Sequence, residues 1–460
     1  MWSFQTISRP LIESESWLNM TDKNQPMAIY IRDGLVVDPK KETVAGRDLL
    51  IEGGTIRGLL PREGYSEPGP RLRIIDASGK LIFPGLIDIH VHLREPGDEH
   101  KETIATGSKA GVAGGFTSLA CMPNTKPVND SPSVTRFILR KAQDSNLLRI
   151  FPIAAITKGQ AGEILTDFAD LRRAGAVGVS DDGFPVMSRE LMRRAMEYGR
   201  ANNLLVISHC EDLNLSSGGV MHEGFVSARL GLRGVPAASE EKMVEREISL
   251  ARETSCSVHI AHVSTAGSVE LIRRAKEEGL SVTAETAPHY FCLDHTAVMR
   301  YNTNAKMNPP LRGPEDVRAI KKGLKEDVID AIATDHAPHS PLEKKVIFEK
   351  APFGIIGLET ALPLTLALVR EGVLTLAGAA RKLSRNPAKI LGLEGGSLEE
   401  GAPADLAIID PELEYELKAE ELQSKSKNSP FLGVRMKGRN VITIMGGRVV
   451  WERDANHLGS

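Results

Sequence analysis

LIDIHVHL, residues 86–93, is an apolar, β-branched run that ends in two histidines. A run of this length and composition predicts a buried strand. Seven similar runs follow, with helical patterns such as those of residues 190–203 and 268–279 between them. Strands that alternate with helices predict a parallel sheet, and eight such units predict an α/β fold of the (β/α)8 TIM barrel type over residues 84–392. The seven further runs are FTSLACM (116–122), RIFPIAAI (149–156), AVGVSDD (176–182), LLVISHC (204–210), SVHIAHV (257–263), SVTAETA (281–287) and DAIATD (330–335).

The two ends of the chain have a different pattern. Alternating β-branched residues and turn signals occupy residues 27–83, and a matching set returns in residues 393–456. These patterns predict short strands, and we expect the two ends to form one small β-sandwich domain beside the barrel. Residues 1–26 are polar and contain no apolar run of the length a signal peptide or membrane span needs, so we expect a disordered extension there.

Composition narrows the classes of partner. The chain has 460 residues, with 57 basic and 60 acidic side chains interspersed, for a formal net charge of −3. This balance provides no basic face for nucleic acid or for an anionic membrane, so a small-molecule substrate is expected. Four separated cysteines without a C-x-x-C spacing indicate reduced thiols and a cytoplasmic protein.

Potential metal ligands stand at the ends of the predicted strands. His90 and His92 are two positions apart on the first strand, so both can face the mouth of the barrel. Because the carboxyl ends of barrel strands converge on one face, donors from different strands can share one site, and six donors suit two metal ions. Nitrogen and oxygen donors without thiolate favour zinc or another borderline divalent ion. The remaining candidates are Asp181, Asp182, His209, His262 and Asp335.

Each of these residues alone has an ordinary structural interpretation. A single histidine at a strand end is more often a hydrogen-bonded core or rim residue, and a single aspartate such as Asp335 is as often a helix cap. The set is harder to explain in this way, because four of the chain's 12 histidines lie at predicted strand ends. We therefore interpret the set as a metal site.

Two motifs resemble the sequence signatures of a known family. DIHVHLREP (88–96) and ATDHAPH (333–339), the latter followed by Lys344, resemble the two signatures of the dihydroorotase family. The resemblance extends through CMPNT (121–125), SHCED (208–212), AETAPHY (284–290), KMNPPLR (306–312) and FGIIGLET (353–360), and covers residues 29 to about 453. An H-x-H pair alone would indicate only the amidohydrolase superfamily. The H-x-H-x-R and D-x-A-P-H motifs together are more specific, because they add substrate-binding residues.

The resemblance implies roles for individual residues. His90, His92 and Asp335 would hold one zinc ion, His209 and His262 a second, and Asp182 would bridge them. Asp335 would also act as the catalytic base. Arg94, Asn124 and His339 would bind the substrate carboxylate, and Asn308 the pyrimidine ring. The segment 340–357 would cover the substrate as a mobile lid, with Phe353 and Gly354 in contact with it.

The fourth strand departs from a common superfamily pattern. Many cyclic amidohydrolases bridge their metals with a carboxylated lysine at the end of this strand, whereas residues 176–182 contain no lysine. The resemblance is therefore to the class I type of dihydroorotase with an aspartate bridge, and it argues against hydantoinase, dihydropyrimidinase and allantoinase. Asp182 is assigned as the bridge by this resemblance, which leaves Asp181 a supporting role.

The expected activity is a cyclic-amide hydrolase reaction. It is the reversible cyclisation of N-carbamoyl-L-aspartate to L-dihydroorotate with loss of water, in pyrimidine (UMP) biosynthesis. A divalent metal pair would lower the pKa of a bound water and polarise the ring carbonyl. One alternative is another cyclic amidohydrolase, and a second is a non-catalytic structural partner of aspartate carbamoyltransferase. The six filled ligand positions argue against the second. We expect a homo-oligomer, and a complex of an active enzyme with aspartate carbamoyltransferase stays open.

Overall fold

A computed structural model of the chain describes residues 28–61 and 72–453, so the predicted extension at residues 1–26 lies outside the described residues.

The first strands belong to one mixed sheet. The long strand β1 pairs antiparallel with β2, while its first half pairs parallel with β4 and its second half parallel with β5. These strands are β1 (Ala28–Asp38), β2 (Thr43–Glu52), β3 (Thr55–Leu60), β4 (Leu72–Asp76) and β5 (Leu81–Pro84).

Eight parallel strands then form the barrel, in the order β15-β14-β13-β10-β9-β8-β7-β6. A parallel bridge between Val91 and His336 joins the segment after β15 to β6 and closes the ring. The strands are β6 (Leu86–Val91), β7 (Phe116–Cys121), β8 (Arg149–Ala154), β9 (Gly178–Ser180), β10 (Leu205–Ser208), the separate short pair β11 (Met221–His222) and β12 (Gly234–Val235), β13 (Val258–Ile260), β14 (Val282–Thr286) and β15 (Ala331–Ile332).

Helices surround this ring, and their sequences show why they form. The predicted helix over residues 190–203 is α4, which begins after Ser188, whose hydroxyl accepts a hydrogen bond from the Leu191 backbone N at 3.2 Å. Its buried face carries Leu191, Met192 and Met196 at helical spacing. The helices are α1 (Ile104–Gly114), α2 (Pro132–Ser145), α3 (Phe168–Ala174), α4 (Arg189–Ala201), α5 (Leu213–Ser216), α6 (Phe225–Leu230), α7 (Ala238–Thr254), α8 (Ala266–Glu277), α9 (Pro288–Cys292), α10 (Pro314–Lys325), α11 (Pro341–Lys344), α12 (Ala361–Arg370), α13 (Leu376–Ala380) and α14 (Asn386–Leu391).

The C-terminal strands complete the first sheet. β16 (Leu406–Glu416), β17 (Arg435–Met445) and β18 (Arg448–Glu452) extend it in the order β18-β17-β16-β5-β1-β2-β3. Its apolar core joins side chains from both ends of the chain, such as Ile31 and Leu49 with Leu406 and Ile444. The predicted fold class, a (β/α)8 barrel with a small β-sandwich from both chain ends, is confirmed.

Two further expectations concern covalent links and membranes. All four cysteines are free thiols, three of them buried and Cys292 half-buried. Within residues 28–61 and 72–453, no helix combines the length and the apolar character that crossing a bilayer requires.

Candidate metal and substrate site

Six side chains predicted as metal ligands meet at the carboxyl end of the barrel. Five different strands deliver them, and all six are buried. The strand ends bring them together because parallel strands in a closed barrel finish on the same face. They are His90 and His92 on and after β6, Asp182 after β9, His209 after β10, His262 after β13 and Asp335 after β15.

Asp182 lies at the centre of this group. Its Oδ1 is 3.4 Å from His90 Nε2, from His209 Nδ1 and from His262 Nε2. Its Oδ2 is 3.4 Å from His92 Nε2. The two oxygens of one carboxylate therefore face different histidines, which is the arrangement a bridging ligand needs.

Asp335 also lies close to His90 and His92. Its Oδ1 is 3.1 Å from His92 Nε2 and 3.7 Å from His90 Nε2. Asp335 and His262 both adopt left-handed backbone conformations, with φ of 48° and 36°. Such conformations cost about 1 kcal/mol or more for a residue with a side chain, and they concentrate at functional sites because surrounding structure must enforce them.

The donor set fits divalent metal ions. His209 Nδ1 and His262 Nε2 are only 2.7 Å apart, while His90 Nε2 and Asp182 Oδ1 are buried without a hydrogen-bond partner. Imidazole lone pairs and carboxylate oxygens that converge in this way repel one another unless a cation lies between them. Two triads each place one ligand atom per residue within 4.8 Å of the others, namely His90, Asp182 and His262, and His90, His92 and Asp335.

The electrostatics of the pocket also favour a cation. Burial acts to lower the pKa of His90, but the charges of Asp182, Asp335 and Glu285 outweigh it and raise this pKa well above its ordinary value. The same carboxylates that favour a proton on this imidazole favour a divalent ion in its place.

A second set of residues fixes the orientation of the histidines. His90 Nδ1 donates to Glu285 Oε1 at 2.6 Å, His92 Nδ1 to Asn124 Oδ1 at 2.8 Å, and His209 Nε2 to Glu211 Oε2 at 3.1 Å. Each bond directs the lone pair of the other ring nitrogen to the centre of the site.

The roles of Glu285 and Glu211 were not predicted from the sequence. Both lie in the quoted stretches AETAPHY and SHCED. Their acidic character at strand ends beside metal-ligand positions was the available signal.

The two aspartates of the fourth strand have different surroundings. Asp181 turns away from the histidines and accepts hydrogen bonds from the backbone N of Ile156 at 2.8 Å and of Thr157 at 3.1 Å. Burial raises the pKa of Asp181 to about 6, although these bonds oppose the rise. Of the pair, only Asp182 faces the histidines.

Arg94 and His339 form a polar corner next to the ligands, in which Arg94 carries the positive charge. Arg94 has a left-handed backbone, with φ of 60°, and its Nε donates to Pro338 O at 3.1 Å. Its Nη2 lies 3.3 Å from His339 Nε2. His339 Nε2 also lies 2.8 Å from Phe353 O and donates to it, whereas His339 Nδ1 is buried without a hydrogen-bond partner. Burial and the charge of Arg94 lower the pKa of His339 to about 2.

The two candidate substrate-binding amides leave different atoms available for a substrate. Asn124 uses its Oδ1 to accept from His92, which leaves its Nδ2 to donate. Asn308 uses its Nδ2 to donate to Glu211 Oε2 at 2.9 Å, which leaves its Oδ1 to accept. Asn124 is therefore suited to an acceptor such as a carboxylate, and Asn308 to a donor such as a ring N–H.

Gly354 lies where two loops approach closely. Its φ is 149°, and a Cβ at this position would come within 2.6 Å of Ala337 O and 2.8 Å of His339. Only glycine allows this approach, which brings Phe353 and Gly354 beside the D-x-A-P-H motif.

Two further histidines lie outside the ligand set. His336 Nε2 is 3.4 Å from Glu102 Oε2, and its Nδ1 accepts from the Gly357 backbone N at 3.2 Å. His289 is buried, its Nε2 has no hydrogen-bond partner, and burial lowers its pKa to about 4. The structure thus shows a supporting contact for His336 and none for His289 Nε2.

Comparisons with known proteins agree with this architecture. The family described as Dihydro-orotase-like matches residues 79–268, and the Amidohydrolase family matches residues 229–451. Among solved structures, L-hydantoinase (dihydropyrimidinase) from Arthrobacter aurescens is similar with a TM-score of 0.83 and 25% identity, over 92% of this chain and 96% of that one. Dihydropyrimidinase from Brevibacillus agri reaches a TM-score of 0.80 at 22% identity, over 93% and 95% of the two chains. These structures show the fold.

The fold and the cluster of donors define an amidohydrolase, a class of barrel enzymes with metal ligands at the strand ends. Curated relatives are more specific. A protein of Geobacter metallireducens named Dihydroorotase is 52% identical over 93% of this chain and 100% of its own length, and one of Geotalea daltonii with the same name is 54% identical over the same shares. The chain belongs to the dihydroorotase family, whose members hydrolyse a cyclic amide. The prediction of this family is confirmed.

Proposed function

We propose that this chain catalyses the reversible hydrolysis of L-dihydroorotate to N-carbamoyl-L-aspartate, with cyclisation as the biosynthetic direction toward UMP. The observation that carries the proposal is the position of the Arg94 guanidinium and the Asn124 amide beside six buried potential metal ligands. A guanidinium binds a carboxylate strongly, and the ring of L-dihydroorotate carries one. Hydantoin and dihydrouracil rings carry none.

We assign two zinc ions to the six donors. His90, His92 and Asp335 would hold one, His209 and His262 the other, and Asp182 would bridge them, since its two oxygens face different histidines. When bound, such ions activate water and polarise a carbonyl. The class I type, with aspartate as the bridge, follows from this assignment.

Asp335 is the proposed proton carrier. Burial opposes its ionisation, but His90 and His92 outweigh that effect and lower its pKa, so it is a carboxylate at neutral pH. In hydrolysis it takes a proton from the attacking water and delivers it to the ring nitrogen as the C–N bond breaks. In cyclisation the same carboxylate moves the proton in the reverse direction.

The remaining polar groups orient the substrate. Arg94 and the Nδ2 of Asn124 are assigned to the carboxylate, and the Oδ1 of Asn308 to a ring N–H. His339 is assigned to the same carboxylate, whose negative charge would favour the second proton that His339 Nδ1 needs in order to donate. Phe353 and Gly354 would cover the ring from the loop of residues 340–357. Because the open-chain reactant is flexible, holding its two ends at fixed positions supplies much of the rate gain for cyclisation.

The test is turnover by protein of known metal content. L-Dihydroorotate and N-carbamoyl-L-aspartate are compared with hydantoin, dihydrouracil and allantoin, for the unchanged chain and for Asp182→Ala. We expect activity on the first pair only, and its loss in the variant. Asp48→Asn is the matched control, because Asp48 is a buried carboxylate of the sheet that accepts from the Asp33 backbone N at 2.9 Å.

Two results would contradict the proposal. One is preferential turnover of a ring without a carboxylate, which would indicate another cyclic amidohydrolase. The other is a metal-loaded chain that is inert toward every compound, which would favour a structural role beside aspartate carbamoyltransferase.

Assembly and placement are also part of the proposal. We propose a cytoplasmic homo-oligomer that is able to associate with aspartate carbamoyltransferase, built from a barrel of residues 84–392 and a β-domain of residues 27–83 and 393–456. Sedimentation of the purified chain, alone and mixed with aspartate carbamoyltransferase, tests the first part. A chain that sediments as a monomer in both samples would contradict it.

A further inference from the structure

The connection between β16 and β17, residues 417–434, leaves the sheet and reaches the mouth of the barrel. It is anchored on the loop after β6. Ser426 Oγ donates to Lys101 O at 2.6 Å, and Lys425 Nζ donates to Glu99 O at 2.6 Å. The Lys425 backbone N also donates to Glu102 Oε1 at 3.0 Å. A segment of the sheet domain is thus bound to the loop that follows the H-x-H-x-R motif.

Asn428 in this connection hydrogen-bonds to two residues that are proposed to contact the substrate, His339 and Gly354. Its Nδ2 donates to Ala337 O at 2.9 Å and to Gly354 O at 3.0 Å. Its Oδ1 accepts from the His339 backbone N at 3.0 Å. Its own backbone O accepts from Ile356 N at 3.1 Å. The side chain is 3% exposed, so water does not compete for these bonds.

An amide is the one side chain of this size that satisfies all three groups. The two carbonyls need donors and the His339 N–H needs an acceptor, and asparagine offers both at one carbon. An aspartate would place a carboxylate oxygen against two carbonyl oxygens. An alanine would leave three buried backbone groups without partners, each at a substantial cost.

We propose that Asn428 is a positioning residue for substrate recognition, which sets the distance between the loop that carries His339 and the loop that carries Phe353 and Gly354. It does not touch the substrate in this assignment. It acts through the backbone of His339 and Gly354, both of which the proposed function places against the substrate. The inference therefore rests on that proposed function.

Asn428→Asp in the metal-loaded full chain is the first test, with Asn440→Ala as the matched control. Asn440 is also a buried asparagine of the sheet domain, but its Nδ2 donates to Val112 O at 3.2 Å and to Thr443 Oγ1 at 2.8 Å, away from the mouth of the barrel. We expect Asn428→Asp to raise the KM for L-dihydroorotate about tenfold or more while kcat changes less, because misplaced binding groups weaken recognition. Asn440→Ala should leave KM unchanged.

A double-mutant cycle with His339→Ala separates positioning from general loss of stability. If Asn428 acts through His339, the effect of Asn428→Asp on KM shrinks when the imidazole is already absent. Asn428→Ser, which replaces the amide with a single hydroxyl, gives the same test if the aspartate variant does not fold. Metal content should be the same in every variant.

Two results would overturn the inference while the proposed function stands. These are a KM for Asn428→Asp equal to that of Asn440→Ala, and full additivity with His339→Ala. Absence of turnover in the unchanged, metal-loaded chain would instead overturn the proposed function, so the two failures are distinguishable.

Discussion

Glu285 should control metal affinity although it is not assigned as a ligand. Its Oε1 accepts from His90 Nδ1 at 2.6 Å, and its Oε2 lies 3.3 Å from His259 Nε2. Burial acts to raise the pKa of Glu285, but the two histidines outweigh it and lower this pKa to about 2, so the carboxylate is charged at neutral pH. Glu285→Gln removes this charge and retains an oxygen that can accept from His90.

The size of the effect follows from the type of bond that changes. A hydrogen bond to a charged group is roughly twice as strong as a neutral one. Replacement of partners that orient metal-binding histidines costs about 10- to 100-fold in metal affinity. Because glutamine retains the neutral bond, we expect Glu285→Gln to be near the lower limit, about 1.4 kcal/mol. Glu285→Ala loses the bond entirely and should lie near the upper limit.

The assay is a zinc titration of the metal-free protein in competition with a chromogenic chelator. It reports affinity without any reference to turnover. Asp48→Asn serves as the control for the loss of a buried carboxylate in the sheet. Equal zinc affinity for Glu285→Gln and the unchanged chain would refute the reasoning, as would an equal loss in Asp48→Asn.

Two other predictions concern recognition and stability. Asn124→Asp keeps the acceptor for His92 but places a carboxylate where Nδ2 would donate, so the KM for L-dihydroorotate should rise about 10- to 100-fold without loss of zinc affinity, and an unchanged KM would argue against this contact. Lys344 Nζ donates to Thr303 O and Pro352 O, yet burial and the charges of Lys306 and Arg94 lower its pKa from 10.5 to about 7. Between these two pH values the unfolded chain holds a proton that the folded chain releases, so this lysine makes stability rise with pH, by at most about 5 kcal/mol. The free energy of unfolding, measured with urea at pH 7 and pH 10, should rise between these pH values in the unchanged chain and rise less in Lys344→Met. An equal rise in the two proteins would contradict the prediction.

The barrel could be predicted from sequence because each apolar run ends in polar or ionisable residues. All eight barrel strands lie inside the predicted runs, since apolar side chains stop where the potential ligands begin. The observed strands are shorter than the runs. The eighth run covers residues 330–335, but β15 is only Ala331–Ile332, and Asp335 has a φ of 48°. The backbone leaves the extended conformation in order to aim the ligand, and a hydrophobic pattern does not encode that.

Contacts between distant segments could not be predicted from the sequence. Asn428 meets Ala337 across 91 residues, and it is surrounded in sequence by serine and lysine residues that suggest an exposed loop. The supporting role of Glu285 required the register of β14 beside the other strands, because only then does its side chain meet His90. The mobility of the loop at residues 340–357 stays a prediction.

The sheet domain has a physical reason to accompany the barrel. Loops at a barrel mouth place side chains in unusual conformations, and some of their backbone groups do not pair with neighbouring strands. At this mouth, the Asn428 side chain and Lys425 Nζ supply such partners from the β16–β17 connection. Because both chain ends contribute strands to this sheet, we expect the connection to reach its position only once the sheet has formed. Assembly of the proposed substrate site is thereby tied to completion of the fold.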